Sequence, residues 1–295
     1  MTVLEVIQRS AEFLGKKGVE ESRLQAELLL AHLLKMRRMQ LYLSFERPLQ
    51  PDELDAYREL IKRRALREPL QHIVGSTSFC GLEVVVNRHV LIPRPETELL
   101  AEQGWQFLCG RTPAGNTLAE AALPPEGPIA LDFGTGSGCL ALALAAKCPA
   151  AIIHALEISP AALETAASNA QRLGLSDRIR FCLGQDLTAL PRGLRFDLVI
   201  SNPPYIATEE IPGLQPEVRD HDPRQALDGG IDGLDFYRRL ALDVPACLKP
   251  QGRLMVEFGD GQAAAISNLL AEQNWVVEAV LEDYTHRPRL LIART

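Results

Sequence analysis

The chain has 295 residues, 46% of them hydrophobic and 23% charged, with six cysteines and a formal net charge of −7. That is enough chain for a full core and a second, smaller domain, and it excludes a minimal stapled scaffold or a largely disordered protein. No apolar run approaches the roughly 20 residues that a membrane span requires, so a cytoplasmic protein without a membrane partner is expected.

The N-terminal stretch MTVLEVIQRSAEFLG has the period of an amphipathic helix, with Leu4, Ile7, Ala11 and Leu14 on one face, and Leu24, Leu28 and Leu29 continue the pattern. Three or four helices are expected over the first 70 residues. The last of them opens at Pro51 with Asp52, Glu53 and Asp55, carries Lys62, Arg63, Arg64 and Arg67 late, and stops before Pro69. Acids at its positive end and bases at its negative end suit the helix dipole, so the basic cluster reads as a solvated helix end, with partner contact as the alternative.

From Ser78 the pieces FCGLEVVVN and HVLI predict a connecting β-hairpin, which places a helical domain at 1–75, a hairpin linker at 76–92 and the main domain at 93–295. Residues 111–128, rich in Gly and Pro, read as a surface loop. Strands and helices then alternate: IALDFG, a helix from Ser137, IIHALEIS, a helix from Pro160, RIRFCLG, FDLVISN, a helix from about Leu234, RLMVEFG, a helix from Gln262 and two final strands. Such alternation predicts an α/β fold with an open, mostly parallel sheet that binds its ligands at the carboxyl ends of the strands.

Charge is divided unevenly. Residues 1–75 carry a net +2 and the remainder −9. A protein that grips a phosphate backbone over a wide surface carries a basic stripe, so direct nucleic-acid binding is not expected. The cysteines Cys80, Cys109, Cys139, Cys148, Cys182 and Cys247 are scattered without metal-ligand spacing, which disfavours zinc and disulfides and reads as small buried hydrophobes.

Three motifs carry chemistry. In LDFGTGSG, an apolar strand breaks into Gly134, Thr135, Gly136, Ser137 and Gly138, a turn that brings backbone close to a ligand at a helix start. It lacks the Lys and Ser/Thr of a P-loop, and Cys139 breaks the dinucleotide fingerprint. Glu157 ends the next strand 19 residues after Gly138, about where an acid accepts hydrogen bonds from ribose hydroxyls. Asp186 follows the strand after that. The third motif, Asn202-Pro203-Pro204-Tyr205, ends an apolar strand with two residues that cannot donate to a ladder. Two prolines stiffen the backbone, and the Asn202 side-chain oxygen with the Pro203 carbonyl offers two acceptors for a planar NH₂ group.

With Asp132 ahead of its glycines, the loop resembles that of class I (Rossmann-like) methyltransferases, which bind S-adenosylmethionine, and N-P-P-Y resembles the clamp of enzymes that alkylate amide or exocyclic amino nitrogens. Together with LIPRPETELL, VRDHDPRQALDGGIDGLDFYRRL and VEFGDGQ, the chain resembles the PrmC/HemK family over essentially its whole length. That resemblance implies transfer of a methyl group from S-adenosylmethionine to the side-chain amide nitrogen of the glutamine in the Gly-Gly-Gln motif of class I peptide release factors, without metal, by a monomer. It implies a clamp of Asn202, Pro203, Pro204 and Tyr205, a cofactor site of Gly134 to Gly138, Glu157, Asp186, Leu187 and Asn202, and Arg94, Thr97 and Glu98 near the cofactor's methionine end. The helical domain becomes the release-factor-recognition domain. Asp283, Tyr284 and Arg289 match a further family pattern, whereas Leu187 replaces an aromatic and Phe258 an isoleucine. The span 206–233 is long for a connection and reads as a lid over the clamp. Adenine methylation of nucleic acid, glutamine methylation of a ribosomal protein and a non-catalytic cofactor-binding adaptor are the alternatives.

Overall fold

A computed structural model describes residues 1–110 and 127–295; the expected surface loop at 111–128 falls almost wholly outside the described residues. The chain forms two compact units, one of residues 1–76 with 214–221, the other of residues 77–213 with 222–295.

The first unit contains helices α1 (Val3–Lys16), α2 (Ser22–Leu33), α3 (Arg38–Tyr42), α4 (Pro51–Ala65) and α5 (Leu70–Val74). Thr2 and Glu5 form a capping box at the start of α1, and Pro51 occupies the first turn of α4. Val3, Val6, Ile7 and Leu14 of α1 pack with Ala26, Leu29 and Leu30 of α2 and with Tyr57 and Ile61 of α4. The buried Tyr57 hydroxyl is satisfied by the Ala26 carbonyl at 2.9 Å.

The basic end of α4 differs from the solvated surface expected of it. Arg64 is buried, and its guanidinium donates to Glu217 Oε1 at 2.6 Å, while Arg67 donates to both Glu217 oxygens at 2.7 and 2.6 Å. Glu217 belongs to a one-turn helix, α9 (Pro216–Arg219), within the part of the expected lid that packs with this unit. Burial opposes its charge, yet the hydrogen bonds from Arg67 and Arg64 outweigh burial and hold the carboxyl at about 2.

In the second unit, β1 (Ser76–Phe79) and β2 (Leu82–Val85) form the expected hairpin, turning at Cys80 and Gly81. HVLI forms no strand; Val90 and Ile92 pack with Val86 and Ala162 as irregular backbone. The hairpin is fastened to the rest of this unit: Asn169 accepts from the Val85 N–H at 2.9 Å and donates to the Val85 carbonyl at 3.0 Å.

After α6 (Thr97–Gly110), the chain runs through β3 (Ile129–Phe133), α7 (Cys139–Lys147), β4 (Ile152–Glu157), α8 (Pro160–Arg172), β5 (Ile179–Leu183), β6 (Phe196–Ser201), α10 (Asp235–Asp243), β7 (Leu248–Glu257), α11 (Ala263–Glu272), β8 (Val276–Glu282) and β9 (Pro288–Arg294). The seven-stranded sheet has the order β5-β4-β3-β6-β7-β9-β8. The first five of these are parallel, and β9 runs antiparallel to both β7 and β8. This is the expected α/β architecture, that of a class I methyltransferase, with one apolar core built on α6 and α7 and a second on α10 and α11. The chain reverses its direction across the sheet between β3 and β6, so their carboxyl ends open a crevice. Two cysteines, Cys148 and Cys247, are buried as expected, but Cys109 is exposed.

Candidate active site

The registers bring four strand ends to one edge. Phe133 pairs with Leu156, Asp132 with Ile200, and Ser201 with Val256. The next residues, Gly134, Glu157, Asn202 and Glu257, therefore stand side by side at the mouth of the crevice. A cleft with about 1020 Å³ of empty space, part of it open to solvent, is lined there by Arg94, Thr97, Gly134, Thr135, Gly136, Ser137, Glu157, Asn202, Pro203 and Pro204 among others.

Gly134, Gly136 and Gly138 have φ of +76°, +56° and +84°, the left-handed region in which side chains are strained. At Gly138 a Cβ would also lie 3.1 Å from the Ala166 Cβ, so this glycine lets α7 approach α8 and does not line the cleft. α7 begins at Cys139 rather than Ser137, because Gly138 is its left-handed N-cap. Ser137 thereby stays in the turn, buried and lining the cleft, with a hydroxyl that has no hydrogen-bond partner among the described residues.

Glu157 is buried, and each carboxylate oxygen accepts one backbone N–H at 2.9 Å, from Gly136 and from Ser159. Two lone pairs remain for a ligand in the cleft. Asp132 is fully buried beneath the same turn. Its Oδ2 accepts from the Thr135 hydroxyl at 2.6 Å and the Ala141 N–H at 3.1 Å, while Oδ1 has no partner among the described residues. Burial pushes its carboxyl up to about 7, against those two hydrogen bonds.

At the end of β6 the Asn202 amide donates to the Thr97 hydroxyl oxygen at 3.0 Å. Behind both lies Glu257, buried, whose Oε2 has no hydrogen-bond partner among the described residues. Burial pushes this carboxyl up to about 7, while the neighbouring Thr97 and Asn202 side chains and the charge of Arg289 favour its ionised form. The backbone after the clamp is held from two sides. Gln262 donates to the Tyr205 carbonyl at 2.9 Å while its oxygen accepts from the Gly259 N–H at 2.9 Å. Opposite, the DGGIDG turn packs so closely that a Cβ on Gly229 would meet the Pro204 oxygen at 2.8 Å, and one on Gly233 the Tyr205 oxygen at 2.4 Å.

Several expected site residues lie elsewhere. Asp186 accepts from the Thr188 N–H at 2.9 Å and caps a 3-10 turn, and Leu187 packs on the second core; the residues at the cleft are Gly184 and Gln185. β5 ends at Leu183, so the chain leaves the edge before it reaches the acid. Glu98 accepts from the Cys80 N–H at 2.8 Å; one residue beyond Thr97 on α6, it points about 100° away and holds the hairpin turn. Tyr205 is also outside the lining: its ring packs on the second core beside Gly259, where burial raises its hydroxyl to about 12. Arg94 does line the cleft, anchored to the buried Asp222 at 2.7 Å. Asp283 caps its own turn through Thr285 and Arg287, Arg289 donates to the Phe258 carbonyl at 3.2 Å, and Tyr284 is exposed.

Glu257 and Gln262 escaped the reading from sequence. The acid ending the apolar run RLMVE was the available signal, equivalent to Glu157 at the end of IIHALE. Phe133 and Arg239 were also missed. The Arg239 guanidinium stacks 5.7 Å from the Phe133 ring centre at the edge of the cleft.

A family model described as PrmC N-terminal domain matches residues 5–75, and another described as Methyltransferase small domain matches residues 113–214. A release factor glutamine methyltransferase of Geobacter sulfurreducens is 45% identical over 92% of this chain and 88% of its own length. That of Chlorobaculum tepidum is 40% identical over 98% and 95%. Among solved structures, the hMettl16 catalytic domain in complex with MAT2A 3'UTR hairpin 6 matches with a TM-score of 0.54 and 18% identity over 80% of this chain and 82% of that one, a likeness of fold alone.

Proposed function

This chain belongs to the release factor glutamine methyltransferase family, and from that premise we propose that it transfers a methyl group from S-adenosylmethionine to the side-chain amide nitrogen of the glutamine in the Gly-Gly-Gln motif of class I peptide release factors. The observation that carries the reading is the position of Asn202: its amide is held by Thr97 at the carboxyl end of β6, in the same cleft as the glycine turn and Glu157.

The cleft suits the cofactor's chemistry. Glu157 has lone pairs left for ribose hydroxyls, the Gly134 to Gly136 backbone is open to close approach, and the Ser137 hydroxyl lacks a partner. Arg94 and Thr97 stand on the same wall and are assigned to the methionine end. When bound, S-adenosylmethionine supplies an electrophilic methyl group on a sulfonium sulfur.

The work left to the protein is to make a poor nucleophile reactive. An amide nitrogen shares its lone pair with its carbonyl, and no side chain deprotonates it near neutral pH. Asn202 Oδ1 and the Pro203 carbonyl accept its two N–H bonds, which orients the nitrogen for in-line attack and raises its electron density. Pro203 and Pro204 bring no competing N–H donor to this surface. Tyr205 acts from behind, through the packing that keeps the loop in place. No covalent enzyme intermediate is required. The helical unit takes the part of release-factor recognition, and residues 222–233 brace the clamp.

The experiment is peptide mass spectrometry of an unmethylated release factor after incubation with the protein and S-adenosylmethionine, beside a DNA control. One added methyl on the glutamine of the Gly-Gly-Gln peptide supports the reading. Methyl transfer to DNA instead would replace it with adenine chemistry.

A further inference from the structure

We infer that Glu257 is a positioning residue of the reaction: as a carboxylate behind Thr97 and Asn202, it fixes the Asn202 side chain with its NH₂ turned inward and its carbonyl oxygen presented to the incoming amide. The inference deepens the proposed function and rests on its assignment of Asn202.

A primary amide can flip, exchanging its oxygen and nitrogen at little steric cost, and only one of the two orientations offers an acceptor to a substrate N–H. Thr97 alone does not choose between them, since a hydroxyl both donates and accepts. An ionised carboxylate only accepts. Register sets Glu257 beside Asn202, one residue beyond the Ser201–Val256 pair; when charged it attracts the Thr97 hydroxyl proton, so the hydroxyl oxygen is left to receive the Asn202 N–H, the bond observed at 3.0 Å. The flipped amide would set its oxygen against the charged carboxylate and the acceptor face of Thr97, with no proton between them.

Protonation removes this selection, because a carboxylic acid can donate to the Asn202 oxygen and stabilise the unproductive flip. The groups around Glu257 set where that happens. Arg289 of β9 and the polar Thr97 and Asn202 side chains favour the charge, Glu96 before α6 opposes it, and Tyr205 and Tyr237 are its phenolic neighbours, the Tyr237 hydroxyl donating to the Glu257 backbone carbonyl at 2.7 Å. Burial is the largest influence, and the balance lies at about 7. The orienting form is therefore the one present above neutrality, and the methyl-transfer rate rises with pH through this range.

Two measurements test the inference separately from the substrate assignment. The first follows the ¹⁵N and ¹H shifts of the Asn202 side-chain amide against pH in the substrate-free protein. They should titrate with a midpoint near 7 in the wild type and stay flat in Glu257→Gln. An Asn202 amide indifferent to pH and to Glu257→Gln overturns the inference whatever the substrate is. The second compares methyl transfer to a release factor. Glu257→Gln should lower kcat about tenfold or more at pH 8 and flatten the kcat–pH profile, with cofactor affinity within about twofold of wild type. Thr97→Val, which removes the hydroxyl, should lower kcat and flatten the kcat–pH profile in the same way. Unchanged kcat in Glu257→Gln, or a wild-type kcat–pH profile in Thr97→Val should Glu257→Gln fail to fold, refutes the relay. A wild-type protein that transfers nothing to the release factor refutes the substrate reading, leaving the amide titration to judge Glu257.

Discussion

Glu157 accepts the backbone N–H of Gly136 at 2.9 Å, so the acid at the end of β4 and the glycine turn after β3 form one rigid corner of the cleft. The residue has two tasks, holding the turn through its fixed bonds and offering its remaining lone pairs to a ligand. Glu157→Gln keeps a side-chain oxygen for one N–H but places NH₂ against the other, whereas Glu157→Ala loses both. Isothermal titration with S-adenosylmethionine should show affinity lowered about tenfold or more in Glu157→Ala, equivalent to about 1.4 kcal/mol or more. Affinity equal to wild type would remove Glu157 from the cofactor site.

Asp132 makes the enzyme's stability depend on pH. Its carboxyl is raised from an ordinary 3.8 to about 7 by burial, so the folded state holds the proton more tightly than the unfolded chain does. Its stabilising contribution is complete below about 4 and is lost as pH rises through about 7, a swing of about 4 kcal/mol. Asp132→Asn should therefore gain stability over wild type progressively between pH 4 and 7 in urea melts, with a constant advantage above. A stability difference independent of pH would contradict a protonated Asp132.

The Glu217 clasp in the helical unit has the opposite sign. Its carboxyl is held at about 2, below its ordinary 4.5, so its contribution is present above 4.5 and fades as pH falls towards 2. Glu217→Gln leaves the buried Arg64 without its counter-charge, and losing one partner of a buried pair costs about 3 kcal/mol. Thermal unfolding should show a lowered midpoint at pH 7 and a smaller gap to wild type at pH 4. An unaltered midpoint at pH 7 would mean that the clasp contributes nothing.

Gly233 tests how closely the clamp is braced. Its φ is +75°, and an added Cβ would come to 2.4 Å from the Tyr205 oxygen, a backbone atom that cannot move alone. Gly233→Ala should cost about 2 kcal/mol of stability through strain and clash. It should also cut the transfer rate well beyond any change in cofactor affinity, because the displaced backbone carries the acceptors. Parallel rate and binding assays decide this, and a wild-type rate would show that the loop tolerates the shift.

What was legible in the sequence was local. The glycine turn, Glu157 and N-P-P-Y each declare their chemistry within a few residues, since proline and glycine restrict backbone wherever they occur. The alternation of strands and helices likewise announced the sheet. What was hidden depends on register or on distant pairing. Whether Asp186 or Gln185 faces the cleft turns on where β5 ends, and Thr97 and Glu98 differ only by one step around α6. Glu257 acquires its place from Thr97, 160 residues earlier, and Arg64 its burial from Glu217, 153 residues later. No local pattern encodes such partners.

Asn202 is the acceptor for the substrate amide in the proposed reaction, and single-turnover methyl transfer by Asn202→Ala, with cofactor affinity measured on the same sample, tests that role most directly. A fall in the transfer rate of about a hundredfold or more, at a dissociation constant for S-adenosylmethionine within a few-fold of wild type, is the result the clamp predicts. Transfer at close to the wild-type rate would contradict it.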